Sequence, residues 1–211
     1  MSVQESARTG WRRKLFARMY ASGSDSYERL VEQRKRAFFA DMQGTVVEIG
    51  AGTGANLPYY PQDVQVIAIE PNIHMHRYLR EEAAKHKVAI DIRPGVAEDL
   101  GLPDESMDSV VSTLVLCSVK HQEQALAEIR RVLKPGGRFI FVEHVAAAPG
   151  SWSRRAQDVL NPAWHFIADG CNLNRDTASA IEAAGFKYLH MDHFKLPMWP
   201  TGPHVAGMAI K

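Results

Sequence analysis

The sequence predicts a doubly wound α/β domain: a parallel sheet with helices on both faces. Three observations carry that reading. Short β-rich runs alternate with helical patterns between Thr45 and Val145. The first run ends in a glycine cluster, Gly50-Ala-Gly-Thr-Gly54, and the second closes on an acid, Glu70. Right-handed crossovers between successive strands then distribute the helices over both faces.

The elements follow in order. Residues 8–21 read as a helix, with Trp11, Leu15 and Met19 on one face and Arg12, Arg13, Lys14 and Arg18 supplying charge. Ser22-Gly-Ser-Asp-Ser26 breaks it, and Asp25 or Ser26 caps a second helix through about Ala40. Strands are expected at Thr45–Ile49, Val64–Glu70, 88–92, Ser109–Leu116 and Arg138–Val145. Helices are expected at 72–86, opened by Pro71, and at 121–133, stopped by Pro135-Gly-Gly137. Residues 151–169 form a largely helical cap after the fifth strand, interrupted at Asn161-Pro162. A helix at 175–184 stops at Gly185, and strands at 186–191 and 204–210 flank a proline-rich link, Leu196–Pro203. Residues 1–211 thus read as one domain. It comprises an N-terminal helical lid (1–43), a cofactor-binding core (44–145), a cap (146–173) and a closing helix with strands (174–211).

A chain of 211 residues, 45% hydrophobic and 23% charged, can bury its own core and is neither disordered nor a disulfide scaffold. Its net charge of +1 argues against nucleic acid as a partner. Residues 1–40 nevertheless hold nine Lys/Arg against four acids. The first helix therefore has three readings: a lid over a ligand, a weak peripheral contact with an anionic membrane through residues 8–20, or a solvated helix. No run of apolar residues is long enough to span a bilayer and no secretory signal is visible, so a cytoplasmic location with reduced thiols is expected. Cys117 and Cys171 belong to no CxxC, and no metal-ligand spacing is seen, so no metal is expected.

The glycine turn falls at the carboxyl edge of the sheet, where such folds bind ligands. Glycine there permits close backbone approach, and a carboxylate at Glu70 can accept both hydroxyls of a ribose. Gly50, Gly52 and Ala55 also satisfy the relaxed dinucleotide pattern. Two acids favour S-adenosylmethionine instead. Glu48 can organise the loop and the ammonium end of that cofactor, and Glu98 can accept from an adenine amine.

As a set, Glu48-Ile-Gly-Ala-Gly-Thr-Gly54, Glu70, Ala97-Glu-Asp99 and Leu133-Lys-Pro-Gly-Gly137 resemble the motifs of Rossmann-like S-adenosylmethionine methyltransferases. Thr113-Leu-Val-Leu-Cys-Ser-Val119, Glu143-His-Val145, Pro162-Ala-Trp-His165 and Asp169-Gly-Cys-Asn-Leu173 extend the resemblance to the methyltransferase-like alkyl-thiol S-methyltransferases, over residues 44–211. Ala51 stands where that family usually has cysteine. Animal members are membrane-attached through a hydrophobic N-terminal anchor, and this sequence shows none. The resemblance implies methyl transfer from S-adenosylmethionine to a small, apolar thiol. It also implies a cofactor set of Glu48, Gly50, Ala51, Gly52, Gly54, Asn56, Glu70, Pro71, Ala97, Glu98, Thr113 and Leu114. The rival expectation is a phospholipid or small-amine N-methyltransferase.

Only the thiolate attacks well, and a free thiol has a pKa of roughly 8.5, so a base or a positive field helps. His144, at the end of the fifth strand, is the first candidate for that role. His165 and Asp169, four residues apart, are expected to pair on one helical face of the cap and to meet the acceptor. Trp152, Trp164, Phe166 and Trp199 are candidate walls of an apolar pocket. Cys117 and Cys171 read as buried small hydrophobes, and His74 and His76 as surface residues.

Overall fold

The computed structural model describes residues 10–23 and 25–211. Five strands run parallel: β1 (Thr45–Ile49), β2 (Gln65–Ile69), β3 (Ile90–Arg93), β4 (Met107–Thr113) and β5 (Leu133–His144). Two more, β6 (Tyr188–Lys195) and β7 (Pro203–Ile210), pair antiparallel, with β7 inserted beside β5. The seven-stranded order is β3-β2-β1-β4-β5-β7-β6. The sheet is therefore mixed, with parallel pairing confined to the first five strands.

Strands buried on both faces read as continuous apolar runs, and β5 is the case in point: Phe139, Ile140, Phe141 and Val142 are all fully buried. Successive side chains divide between two cores. Val47, Ile49, Val110, Phe139 and Phe141 pack with Ala125, Leu126, Ile129 and Val132 of α4 (Gln122–Val132). Val46, Val66, Ala68, Val111 and Ile140 face the other way, against Phe39 of α2 (Asp25–Phe39) and Leu79 and Ala83 of α3 (His76–His86).

Helix α1 (Trp11–Gly23) matches the first expected helix, whose residues 8 and 9 lie outside the described ones, as does Ser24 in the expected break. α3 starts later than the expected residue 72. Asn72 instead makes a local turn, its Oδ1 accepting from the His74 amide at 3.1 Å. The chain after α4 enters β5 at Leu133 rather than Arg138, with a register shift where Pro135-Gly136-Gly137 interrupts the pairing.

The cap corrects the sequence reading. Pro162 does not interrupt it: α5 runs from Trp152 to Ile167 straight through that proline. Ser151 caps its start, accepting from the Arg154 amide at 3.1 Å. An inward polar stripe fixes it. Gln157 accepts from the Ala147 amide at 2.7 Å, and Asn161 accepts from the Leu173 amide at 2.7 Å. These tertiary bonds hold the helix past a residue that removes one ladder bond. α6 (Thr177–Ala183) follows, capped by Asp176.

Candidate active site

Strand β1 pairs β2 on one side and β4 on the other, so the chain reverses direction across the sheet at β1 and β4. A crevice opens at the carboxyl ends of such a pair. The turn after β1 enters it through Gly50, whose φ is +59° and whose amide donates to Ile69 O at 2.7 Å. A Cβ on Gly50 would lie 2.5 Å from Val115 Cγ2, whereas one on Gly52 would meet nothing nearer than Tyr20 Cε1 at 3.6 Å. A side chain is excluded at Gly50, whereas at Gly52 it would make only ordinary contact. Leu114, after β4, also takes a left-handed conformation, φ +58°, a strained choice for a residue with a side chain.

Two buried carboxylates organise this crevice. Glu48 accepts from Asn56 Nδ2 at 2.9 Å and from the Tyr60 hydroxyl at 2.8 Å. Asn56 Nδ2 also reaches Thr113 Oγ1 at 3.1 Å, while Asn56 Oδ1 is buried without a partner among the described residues. Glu70 accepts from the Gly52 amide at 2.8 Å and the Asn72 amide at 2.7 Å. Burial pushes both carboxyls up to about 7, against the hydrogen bonds that lower them. Pro71 follows Glu70, and its carbonyl oxygen accepts from Arg13 Nη1 at 3.5 Å. His76, expected at the surface, is buried, its Nε2 2.8 Å from Glu70 O. Ala51 and Ala97 are buried. Glu98 is placed differently from the expectation. Its Oε1 accepts the backbone amides of Lys120 and His121, at 2.7 and 3.0 Å, tying the loop after β3 to the start of α4.

Helix α1 lies across this edge. Tyr20 reaches Gly52, and burial raises its phenol far above the ordinary range. Asn72 Nδ2 donates to Arg13 O at 3.1 Å, and Arg13 Nε lies 3.3 Å from Asp169 Oδ1. Arg12 caps the far end, its guanidinium 3.6 Å from the Phe166 ring centre and bonded to the Phe166 carbonyl. The expected His165–Asp169 pair does not form. α5 stops at Ile167 and Asp169 turns to φ +47°, which breaks the four-residue spacing. His165 Nδ1 instead meets Asn172 Oδ1 at 3.2 Å, and Asp169 takes Arg13.

The ends of β4 and β5 carry a second buried cluster. His144 Nε2 lies 2.9 Å from Cys171 Sγ, and Trp164 Nε1 donates to the same sulfur at 3.3 Å. The neighbouring Cys117 first, then His144 and Trp164, hold the Cys171 thiol below its ordinary range, while the nearby Cys171 and burial push Cys117 up; the Cys117 thiol donates to Leu114 O at 3.5 Å. Glu143 accepts from Ser112 Oγ and, at 3.1 Å, from the Val115 amide. Burial first, opposed by these bonds, leaves its carboxyl at about 7. His204 of β7 gives Nδ1 to Gly202 O at 3.0 Å, and burial brings it down to about 4. Tyr27 Oη, Glu143 Oε2, His144 Nδ1 and His204 Nε2 are buried without partners among the described residues. Orphaned polar atoms gathered in one place are costly unless a ligand meets them.

Sequence reasoning missed Tyr20, Tyr27 and His204. They lie far in the chain from the glycine loop and in no motif, and only the fold gathers them. Cys117 and Cys171 are buried, as expected, and also lie in one cluster with His144. Of the expected pocket walls only Trp164 turns inward. Trp152 and Phe166 share the outward face of α5, and Trp199 is 72% exposed.

Residues 47–141 match the family model of the methyltransferase domain. The chain is 40% identical to the human thiol S-methyltransferase TMT1A over 198 residues, covering 88% of this chain and 81% of that one. This chain belongs to the thiol S-methyltransferase family. The human paralogue TMT1B matches at 40% identity over 87% of this chain and 80% of its own. Among solved structures, a methyltransferase of Thermotoga maritima superposes with a TM-score of 0.62, at 24% identity, over 92% of this chain and 99% of that one. That likeness reports the shared fold. The family's members here are enzymes that use S-adenosylmethionine as methyl donor, and so is this chain. The crevice suits that cofactor: the Gly52 amide is held by the buried acid Glu70, a side chain at Gly50 is excluded by Val115, and the buried Asn56 Oδ1 meets no donor among the described residues.

Proposed function

We propose that this enzyme methylates a small, apolar thiol. The near whole-chain likeness to thiol S-methyltransferases carries the reading. The sulfur- and imidazole-lined cluster at the carboxyl ends of β4 and β5 supports it. When bound, S-adenosylmethionine supplies an electrophilic methyl group on a sulfonium. Glu70 receives the ribose hydroxyls beside Pro71, and Gly50, Ala51, Gly52 and Gly54 admit the amino-acid tail. Asn56, held by Glu48 and Thr113, offers its free oxygen to the ammonium end, and Ala97 and Leu114 wall the cleft. In-line geometry and exclusion of water then provide much of the rate. His144 assists ionisation of the acceptor and Trp164 walls its pocket. Asp169 acts as a positioning residue through Arg13, and His165 braces the cap through Asn172.

In this reading the chain works as one unit, with residues 1–43 as lid and 146–173 as cap. The inner face of α1 closes the cofactor site. Its outer face, Trp11, Leu15 and Met19, lies beside exposed Phe166 and Ile167 around a groove of ≈ 160 Å³. With Arg12, Lys14 and Arg18 alongside, this face suits shallow contact with an anionic membrane, from which apolar thiols partition. Among the described residues no helix is long and apolar enough to cross a membrane. The two unpaired thiols fit a cytoplasmic setting.

The test is a competition at fixed cofactor between an alkyl thiol and its amine and alcohol analogues. The thiol is methylated in preference, with a rate that climbs with pH until the bound thiol is ionised. Preferred methylation of the amine promotes the N-methyltransferase reading instead. His144→Ala lowers turnover by about 10²-fold with cofactor affinity nearly unchanged.

A further inference from the structure

Cys117, His144 and Cys171 bring two sulfurs and an imidazole nitrogen within 4.8 Å of one another. They arrive on separate elements: the turn after β4, the end of β5 and the loop after α5. Their meeting is secured by backbone rather than by the sulfurs themselves. The amide and side-chain nitrogens of Asn172 both donate to Cys117 O, at 3.0 and 2.9 Å. His144 is held in the β5–β7 ladder opposite His204. All three residues are buried.

We propose that Cys117, His144 and Cys171 form a zinc(II) site whose fourth position takes the acceptor's sulfur. Two thiolates and one neutral imidazole are borderline-soft donors that favour zinc over magnesium or calcium. Three protein ligands and one open position is the arrangement of a catalytic rather than a structural zinc. Zinc–sulfur and zinc–nitrogen bonds of about 2.3 and 2.0 Å put tetrahedral ligand atoms about 3.5–3.8 Å apart. The His144–Cys171 contact of 2.9 Å then opens by roughly 0.6 Å on metal entry. Trp164 Nε1 on Cys171 and Ser118 Oγ, 3.4 Å from Cys117 Sγ, give each thiolate a second contact.

The fourth ligand rests on the thiol reading above; the three protein ligands do not. The acceptor thiol loses its proton to solvent on coordination. Its sulfur lone pair forms the bond to the methyl carbon while the methyl–sulfonium bond breaks. A thioether and S-adenosylhomocysteine result, the metal keeps its oxidation state, and the neutral thioether, a weak ligand, departs. His144 then aids ionisation by holding the metal.

The experiment uses the full, reduced chain without cofactor. Cobalt(II) titration produces thiolate-to-cobalt charge-transfer absorption saturating at about one equivalent, and zinc displaces it. Cys117→Ser and Cys171→Ser each weaken zinc binding by at least about tenfold. An alkyl thiol shifts the cobalt spectrum and its alcohol analogue does not. No cobalt spectrum from the wild-type chain overturns the site, and needs no variant to fold. Undiminished thiol methylation by metal-stripped enzyme overturns it too, while leaving the thiol reading intact. A cobalt spectrum that no thiol perturbs, in an enzyme that methylates amines, overturns the fourth ligand together with the thiol reading.

Discussion

Arg13 of the first helix and Asp169 beyond the cap helix form an ion pair, 3.3 Å apart, across the mouth of the cofactor crevice. Each side chain is about one quarter exposed, 25% and 26%. In the proposed lid-and-cap reading, the pair joins the two segments that part for the cofactor to exchange. Because it is partly wet, it contributes at most about 1 kcal/mol. Arg13→Ala and Asp169→Asn should therefore leave the melting temperature nearly unchanged. Both should speed S-adenosylhomocysteine release by up to about fivefold, an effect that fades with salt. Stopped-flow release measured in low and high salt tests this; equal rates in wild type and both variants would remove the latch.

The pH dependence of the ligand-free protein follows from its buried acids. Burial raises Glu48, Glu70 and Glu143 from an ordinary 4.5 to about 7. Such groups hold protons more tightly folded than unfolded, so their penalty is absent below the unfolded pKa and grows as pH climbs to about 7. His204, brought down from 6.5 to about 4, acts oppositely and costs stability as pH falls below 6.5. Three carboxylates outweigh one imidazole. The melting temperature should fall between about pH 5 and about pH 7. Conversely, S-adenosylhomocysteine should bind more tightly as pH rises through about 7, because ionised Glu70 accepts the ribose hydroxyls more strongly. Calorimetry across that range, with Glu70→Gln giving a flatter profile, is the measurement. Glu70→Ala should cost on the order of 1–3 kcal/mol of cofactor binding.

The loop glycines separate fold from ligand. Gly50→Ala drives a Cβ to 2.5 Å from Val115 at a left-handed φ of +59°. It should cost about 1–2 kcal/mol in backbone strain and about as much again in overpacking, and lower the melting temperature. Gly52→Ala meets only ordinary contact, Tyr20 at 3.6 Å, and pays the backbone cost alone. Its main effect should be on cofactor affinity, about tenfold or more. Thermal melts of the two variants with and without S-adenosylhomocysteine distinguish these effects; matching profiles would show that Gly52 faces no ligand.

The outward apolar face makes a prediction about lipid. Trp11 is 74% exposed and Trp152 81%. Vesicles rich in anionic lipid should bind the chain weakly, shift its tryptophan emission to the blue and release it in salt. Trp11→Ser and Phe166→Ser should weaken binding without changing the turnover of a water-soluble thiol. Flotation with neutral vesicles that survives high salt would point to a deeper mode of attachment.

How much of this was legible beforehand depended on range along the chain. The glycine turn, Glu48 and Glu70 sit within one strand–turn–strand unit, and continuous apolar runs such as Phe139–Val142 announce themselves. The His165–Asp169 pair failed because a spacing of four means adjacency only inside a helix, and the helix stops at Ile167. Pro162 misled for the opposite reason: bonds from Gln157 and Asn161 to distant backbone sustain a helix that local rules would break. The proximity of Cys117 to Cys171, and of Tyr27 to His204, arises from which helices, loops and strands the fold packs side by side, and no local pattern encodes that.

The place of β7 between β5 and β6 has a consequence for synthesis. Strand β6 is synthesised before β7, yet among the described residues its only ladder partner is β7. Until residues 203–210 are made, β6 has no sheet to join, and the flank of β5 formed by Phe139–His144 stands open. His144 has then left the exit tunnel but lacks the strand that walls it. The nascent enzyme therefore presents an unpaired apolar edge, a target for chaperones or for a neighbouring nascent chain, until its seventh strand slides into place.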